Sequence, residues 1–333
     1  ITDPCYTHDG VQNAGAVYSY DGGTRQMLSR VHGTTANDRV GEGVVALGTG
    51  NVVAVSTDWD LGAIADVGAV TFIDGESGLD GPVTPSNSLH GTTASDTIGG
   101  RNTSDLPRGL VVPLANGHYV VTSPSWDNGA IVNAGAVTWA DGSSGNTGPV
   151  TTANSLYGNT SFLSQGVTTL VGFAGVTPLS DGDYVVRSPA WSYVETPLRG
   201  TPTLVQFAGA ATWATGSGPT AAPVSRSNSI HGSTDNDSVG TLVTALTNGN
   251  YVVVSPSWDN GTIVDTGAAT WAPGTGPTTG PVTTANSLVG PAAFDRVGQS
   301  VTALANGNYV VGSYRWQNAG AVGAGAATWG DGA

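Results

Sequence analysis

The stretch NGNYVVVSPSWDNG (248–261) decides the fold. Asn-Gly between apolar runs is the strongest short-range hairpin signal, and a two-residue type I′ turn is expected there, with positive φ at both positions. Tyr-Val-Val-Val-Ser is β-branched and aromatic, the composition of a strand. Proline ends that strand because it cannot donate to a central ladder, and Asp-Asn-Gly then turns the chain.

The phrase recurs as GNVVAVSTDWD (50–60), NGHYVVTSPSWDNG (116–129), DGDYVVRSPAW (181–191) and NGNYVVGSYRWQN (306–318). A second phrase recurs as AGAVYSY (14–20), VGAVTF (67–72), AGAVTW (134–139), AGAATW (208–213), TGAATW (266–271) and AGAATW (324–329). A third closes each unit at Gly33, Gly91, Gly158, Gly232 and Gly290, with spacings of 58, 67, 74 and 58 residues. Self-similarity at this period marks a repeat architecture. The units are 34–91, 92–158, 159–232 and 233–290, with part-units 1–33 and 291–333, within a single repeat domain.

Each unit reads as four strands: V-x-A-L, Y-V-V-x-S, A-G-A-V-T-W, and a last strand such as P-V-T-T-A-N-S-L. Apolar spacing of 3.6 residues over ten or more positions, which a helix needs, is absent. Four short strands per repeat is the grammar of a β-propeller blade, so the fold class is all-β, a propeller-like array of blades of about 60 residues. The alternative is a β-solenoid, whose coils usually repeat in about 20–30 residues without two internal hairpin turns.

Composition narrows the function. The chain of 333 residues has 50 Gly and only 10% charged residues, half or less of the usual ~25%. All ten basic residues are Arg, and 24 acids leave a net charge of −14. Such a surface repels phosphate backbones and anionic membranes, so nucleic acid is excluded as a partner. No apolar run approaches the ~20 residues that span a bilayer as a helix, so membrane insertion is not expected. A single cysteine, Cys5, makes neither an internal disulfide nor a cysteine-rich metal site. The chain starts at Ile1 without a signal-like segment, as a processed product or a piece of something longer would.

The order Y-V-V-x-S-P-x-W-D-N-G, then A-G-A-V-T-W-x-D-G, resembles the FG-GAP repeats of integrin α-subunit propellers. It resembles more closely the tandem repeats of large bacterial filamentous-haemagglutinin-like surface proteins. The resemblance covers essentially the whole chain and implies a scaffold on the outside of a cell. One departure matters. The integrin type carries an aspartate-rich calcium loop between the first two strands, where this chain has LGTGN, LANGH, LSDGD, LTNGN and LANGN. With one acid or none, most of these turns lack the oxygen ligands that calcium takes; only Asp181 and Asp183, two acids in one turn, leave that question open. No metal or other cofactor is expected.

The nine tryptophans fall on two repeat positions: Trp59, Trp126, Trp191, Trp258 and Trp316 on one, Trp139, Trp213, Trp271 and Trp329 on the other. That regularity assigns them to packing between blades rather than to sugar stacking. His32, His90 and His231 share a third position, too far apart around a ring to converge on one ion. The acids of NDRVG (37–41), SDTIG (95–99), NDSVG (236–240) and FDRVG (294–298) are locked to the repeat, and accept turn N–H groups. Nucleophile motifs such as G-x-S-x-G and H-E-x-x-H are absent, so the chain is not expected to be an enzyme; a hydrolase would need convergent acids in a central pocket.

Three insertions break the repeat: GGRNTSDLPR (99–108), SFLSQGVTTLVGFAG (161–175) and SYVETPLRGTPTLVQFA (192–208). In a four-stranded blade they emerge on one face. Arg101, Asn102, Asp105, Arg108, Tyr193, Glu195 and Arg199 bring charge and an aromatic there, and are the candidate binding residues. The expected function is a non-catalytic extracellular structural or adhesive segment of a bacterial surface or filament protein. Its incomplete terminal blades would pair with another copy or with flanking repeats. The alternative is a lectin or adhesin whose expanded loops bind a glycan or a host cell-surface protein.

Overall fold

The computed structural model describes residues 1–100, 111–160, 169–196 and 200–333, and among these every regular element is a β-strand. The chain forms two compact units, residues 1–157 with 216–222 and residues 158–215 with 223–333. Within the first, strands Gly43–Ala46, Val52–Ser56, Ala69–Ile73 and Ser88–His90 form an antiparallel meander. Val111–Pro113, Tyr119–Ser123, Ala136–Ala140 and Ser155–Tyr157 repeat it. The second unit has the meander at Val176–Pro178, Tyr184–Ser188, Ala210–Ala214 and Ile230–His231, and again at Leu242–Ala245, Tyr251–Ser255, Ala268–Ala272 and Ser287–Val289. Sequential antiparallel pairing inside one repeat is the strand order of a four-stranded blade.

The last strand differs from the sequence reading. P-V-T-T-A-N-S-L is not one strand. Its Gly-Pro start pairs in parallel with the fourth strand of the preceding repeat: Gly81–Pro82 on Val31 and His32, Gly148–Pro149 on Leu89 and His90, Gly280–Pro281 on Ile230 and His231. The following valine adds one more bond, as Val282 N–H donates to the His231 carbonyl at 3.0 Å. The chain then turns at Asn286, whose Oδ1 accepts the Thr283 N–H and whose Nδ2 donates to the Pro281 carbonyl. Only the last three residues run as the blade's own fourth strand. Each clasped sheet is therefore a meander plus a two-residue strand lent by its successor.

The turn between the first two strands also differs. Gly50, Gly117, Gly182, Gly249 and Gly307 have φ near +90°, but none of the residues before them is left-handed. Leu246 N–H donates to the Asn250 carbonyl and Gly249 N–H to the Leu246 carbonyl. This is a type I turn followed by a left-handed glycine, the three-residue hairpin with a bulge, rather than type I′.

Side chains inside the blades are small or β-branched because the sheets pack closely. Val53, Val55, Val70, Leu89, Ile98 and Tyr119 form one core in the first unit, and Val185, Ile230, Val253, Trp258 and Ala268 one in the second. The A-G-A glycine has a stricter cause. A Cβ on Gly267, at φ +73°, would lie 2.3 Å from the Val297 backbone nitrogen. The connector to the next blade occupies the space that a side chain would need.

Candidate functional site

Most of the polar repeat residues hold neighbouring blades together. Asp38, Asp96, Asp237 and Asp295 are fully buried. In Asp237, on the connector that leads into its blade, Oδ2 accepts the backbone N–H groups of Ser233 and Thr234 (2.7 and 2.8 Å), and Oδ1 accepts that of Asp259 later in the same repeat (3.0 Å). Asp38 binds Thr34, Thr35 and Asp60 likewise, and Asp96 binds Thr92, Thr93 and Asp127. Burial pushes the Asp38, Asp96 and Asp237 carboxyls above the usual range, while the N–H donors pull the other way. Thr169 stands where the expanded repeat would carry this acid.

The tryptophans divide into two environments. Trp59, Trp126, Trp191 and Trp258 are buried wedges. Trp139, Trp213 and Trp271 are half-buried, and each indole N–H donates to a glycine carbonyl of the following repeat: Gly216, Gly274 and Gly332 (2.7, 2.7 and 3.1 Å). Trp316 is half-buried, and Trp329 is exposed. The three histidines anchor alike, each Nδ1–H donating to the next residue's carbonyl, at Gly33, Gly91 and Gly232. Among the described residues, no three His, Cys, Asp or Glu side chains converge to hold a metal ion.

The insertion at 192–208 is where the second unit departs from this framework. Strands Tyr193–Glu195 and Thr203–Val205 form a separate hairpin in place of the usual Asp-Asn-Gly turn, with Tyr193 opposite Val205 and Glu195 opposite Thr203. Alternation puts these four on one face. Its base is fixed by Ser192, at the usual Asp position, whose Oγ accepts the Phe207 N–H at 2.8 Å. The Gln206 N–H donates to Asp235 Oδ1 at 2.8 Å.

Tyr193 is clamped. Its ring stacks on Trp191 at 5.1 Å, meets His231 edge-on at 6.1 Å, and has the Arg226 guanidinium over it at 4.9 Å. Arg226 Nη1 in turn donates to Glu195 Oε1 at 3.1 Å. Burial, with the Glu195 charge adding to it, raises the Tyr193 phenol, and burial lowers His231, so its ring is neutral at pH 7. These residues line a cleft of about 520 Å³, floored by Gly280 and Pro281 of the clasp. A second groove of about 600 Å³ adjoins it, sharing Glu195 and Ser233.

Of the candidates from sequence, Tyr193 and Glu195 meet in this cleft. Arg101, Asn102, Asp105, Arg108 and Arg199 lie outside the described residues. The sequence reading missed Arg226, Ser233 and His231 as cleft residues. Arg226 left a signal: it stands where other repeats have Pro85, Thr152 and Thr284, and arginine is rare in this chain.

No curated protein matches the chain. A family described as a repeat of unknown function, DUF5650, matches residues 46–100, 113–164, 178–241, 245–299 and 303–333. Those segments begin in the first strand or the turn after it, and together span well over half of the sequence, so the protein belongs to this family as an array of five matched repeats.

Proposed function

We propose that the chain is a non-catalytic structural or adhesive array on the outside of a bacterial cell, extended by pairing at its sheet edges. The observation that carries the reading is the clasp. A blade is finished only when the next repeat lends Gly-Pro-Val to its fourth strand, so cohesion runs from repeat to repeat. Strand Ser287–Val289 pairs on one side alone, and Leu288 is 37% exposed where Leu89 and Ile230, at the same position, are 1% and 2% exposed. Strand Ala326–Gly330 is likewise paired only with Tyr309–Ser313, and Trp329 is 58% exposed. Such edges accept a strand from a further repeat, in another copy or in flanking sequence. A head-to-tail contact of this kind that does not close into a ring generates a filament.

The bacterial and extracellular parts rest on the likeness to FG-GAP and filamentous-haemagglutinin-like repeats, and on a Lys-free, weakly charged surface suited to a protease-rich exterior. Sedimentation velocity and negative-stain microscopy of the 333-residue chain test the assembly. Association that grows with concentration is expected, and a peptide TGPVTTANSL, copied from residues 279–288, should reduce it by capping the Ser287–Val289 edge. A monomer at every concentration, with the amides of 287–289 protected from exchange, would overturn the reading.

A further inference from the structure

We infer that the cleft beneath the 193–205 hairpin is a binding site for a neutral hexopyranoside, the end of a glycan chain. The scaffold does not require this cleft. The equivalent histidines are as buried as His231 without such a cleft: His32 lies 3.9 Å from the His8 ring, and His90 packs against Trp59 as His231 does against Trp191. In the expanded repeat alone, an inserted hairpin brings Tyr193 and Glu195 beside the histidine, and a substituted arginine faces them. Glu195 is one of only three glutamates in the chain.

The chemistry of the lining selects the ligand. Glu195 and Arg226 neutralise one another across 3.1 Å, yet both side chains are about half exposed (50% and 46%), so each keeps hydrogen-bonding capacity toward solvent. An anion would meet the Glu195 carboxylate and, in the adjoining groove, Asp235 and Asp259. A cation would meet the guanidinium. A neutral polyol suits both, giving hydroxyl protons to the carboxylate and accepting from the fork. His231 adds a directional acceptor: with Nδ1–H committed to the Gly232 carbonyl, Nε2 of the neutral, buried ring carries the free lone pair. Ser227 and Ser233 supply hydroxyls, and Pro281 an apolar surface for the C–H face of a sugar. The cleft volume of about 520 Å³ is in the ~300–1,000 Å³ range of small-molecule sites. The adjoining groove gives room for a second residue of the glycan.

Trp191, stacked on Tyr193, is a built-in reporter. The test titrates the full chain with methyl α- and β-glycosides of glucose, galactose, mannose and N-acetylglucosamine. Intrinsic fluorescence and ligand-observed saturation-transfer NMR are read together, with inorganic phosphate, sialic acid and calcium as charged comparators. Saturable binding of at least one neutral glycoside is expected, with a Kd of about 0.1–10 mM as befits an open cleft. Glu195→Ala and Arg226→Ala should each weaken it at least tenfold, while Arg315→Ala, away from the cleft, leaves it unchanged. Far-UV circular dichroism checks that the variants are folded. Failure of every neutral glycoside to bind, binding of a charged comparator alone, or binding that survives both cleft substitutions would each overturn the assignment. None of these outcomes bears on assembly through the sheet edges.

Discussion

The Asp237 carboxylate accepts the backbone N–H of Asp259, 3.0 Å away in the same repeat, and Asp259 Oδ1 accepts the N–H of Asp265 at 2.7 Å. Two acids thus stitch a connector, a turn and the turn's far end. Three part-buried N–H groups depend on the buried Asp237 carboxylate, and orphaning such a donor costs roughly 1–3 kcal/mol. Asp237→Ala should therefore destabilise the second unit by about 3–5 kcal/mol, and Asp237→Asn by roughly 2–4, since its amide turns a donor toward donors. Chemical denaturation measures this; a loss below about 1 kcal/mol for Asp237→Ala would mean that the staple is replaceable.

Acid tolerance follows from the same carboxyls. Their folded pKa values are raised above the ordinary 3.8, so the folded state holds these protons more tightly than the unfolded chain. The resulting stability is fully present below pH 3.8 and is lost as pH rises through the folded pKa values. Relief of the −14 net charge acts in the same direction. Asp21, Asp74 and Asp141, lowered by turn hydrogen bonds, oppose it with a share that solvent screens. His231, lowered by burial, also opposes it, because the unfolded chain takes up that proton first as pH falls. Urea midpoints should hold or rise as the pH falls from 7 toward 4.5. A midpoint that falls steadily over that interval contradicts this balance.

Two glycines of one repeat separate conformation from space. Gly261 has φ +63° with open space around it, so Gly261→Ala should cost only the left-handed penalty of about 1–2 kcal/mol. Gly267 has φ +73° and the Val297 backbone against it, and Gly267→Ala should cost roughly 3 kcal/mol or more. Equal thermal shifts for the two variants would remove the close approach as the reason for A-G-A.

Calcium should not matter to stability. The turn with two acids uses one internally, as Asp183 N–H donates to Asp181 Oδ1 at 3.1 Å. Thermal melts with and without EDTA should superimpose; a reproducible drop in Tm on chelation would show a bound ion that the repeat turns do not explain.

The blade was legible in sequence because its signals are local: Asn-Gly or Asp-Gly before Tyr-Val-Val, Pro after it, and small residues in A-G-A-V-T-W. What escaped is non-local. Gly280–Pro281 is too short for any periodicity and reads as a turn, yet it pairs with Ile230 and His231. The turn acids showed their local bonds, to Ser233 and Thr234, but not the third, to Asp259. The cleft joins residues 193, 195, 226 and 231, which only folding brings together. Its trace in sequence is departure from the repeat, visible for the hairpin as an insertion and for Arg226 as a single substitution.

Asn250 gives the last prediction, because its two amide atoms serve different repeats. Oδ1 accepts the Gly274 N–H of its own blade at 3.1 Å, and Nδ2 donates to the Gly332 carbonyl of the next at 2.7 Å. Asn250→Asp keeps the first bond and replaces the second by two oxygens facing each other. The cost falls on the contact between repeats rather than on the hairpin. Amide exchange at 300–303 and 309–313 should then quicken about tenfold, equivalent to ~1.4 kcal/mol of local opening, while 251–255 stays protected. The expanded repeat carries Asp183 at this position, so the substitution is compatible with the turn itself. Uniform quickening across both blades would show that the repeats open as one body, and that Asn250 is no hinge between them.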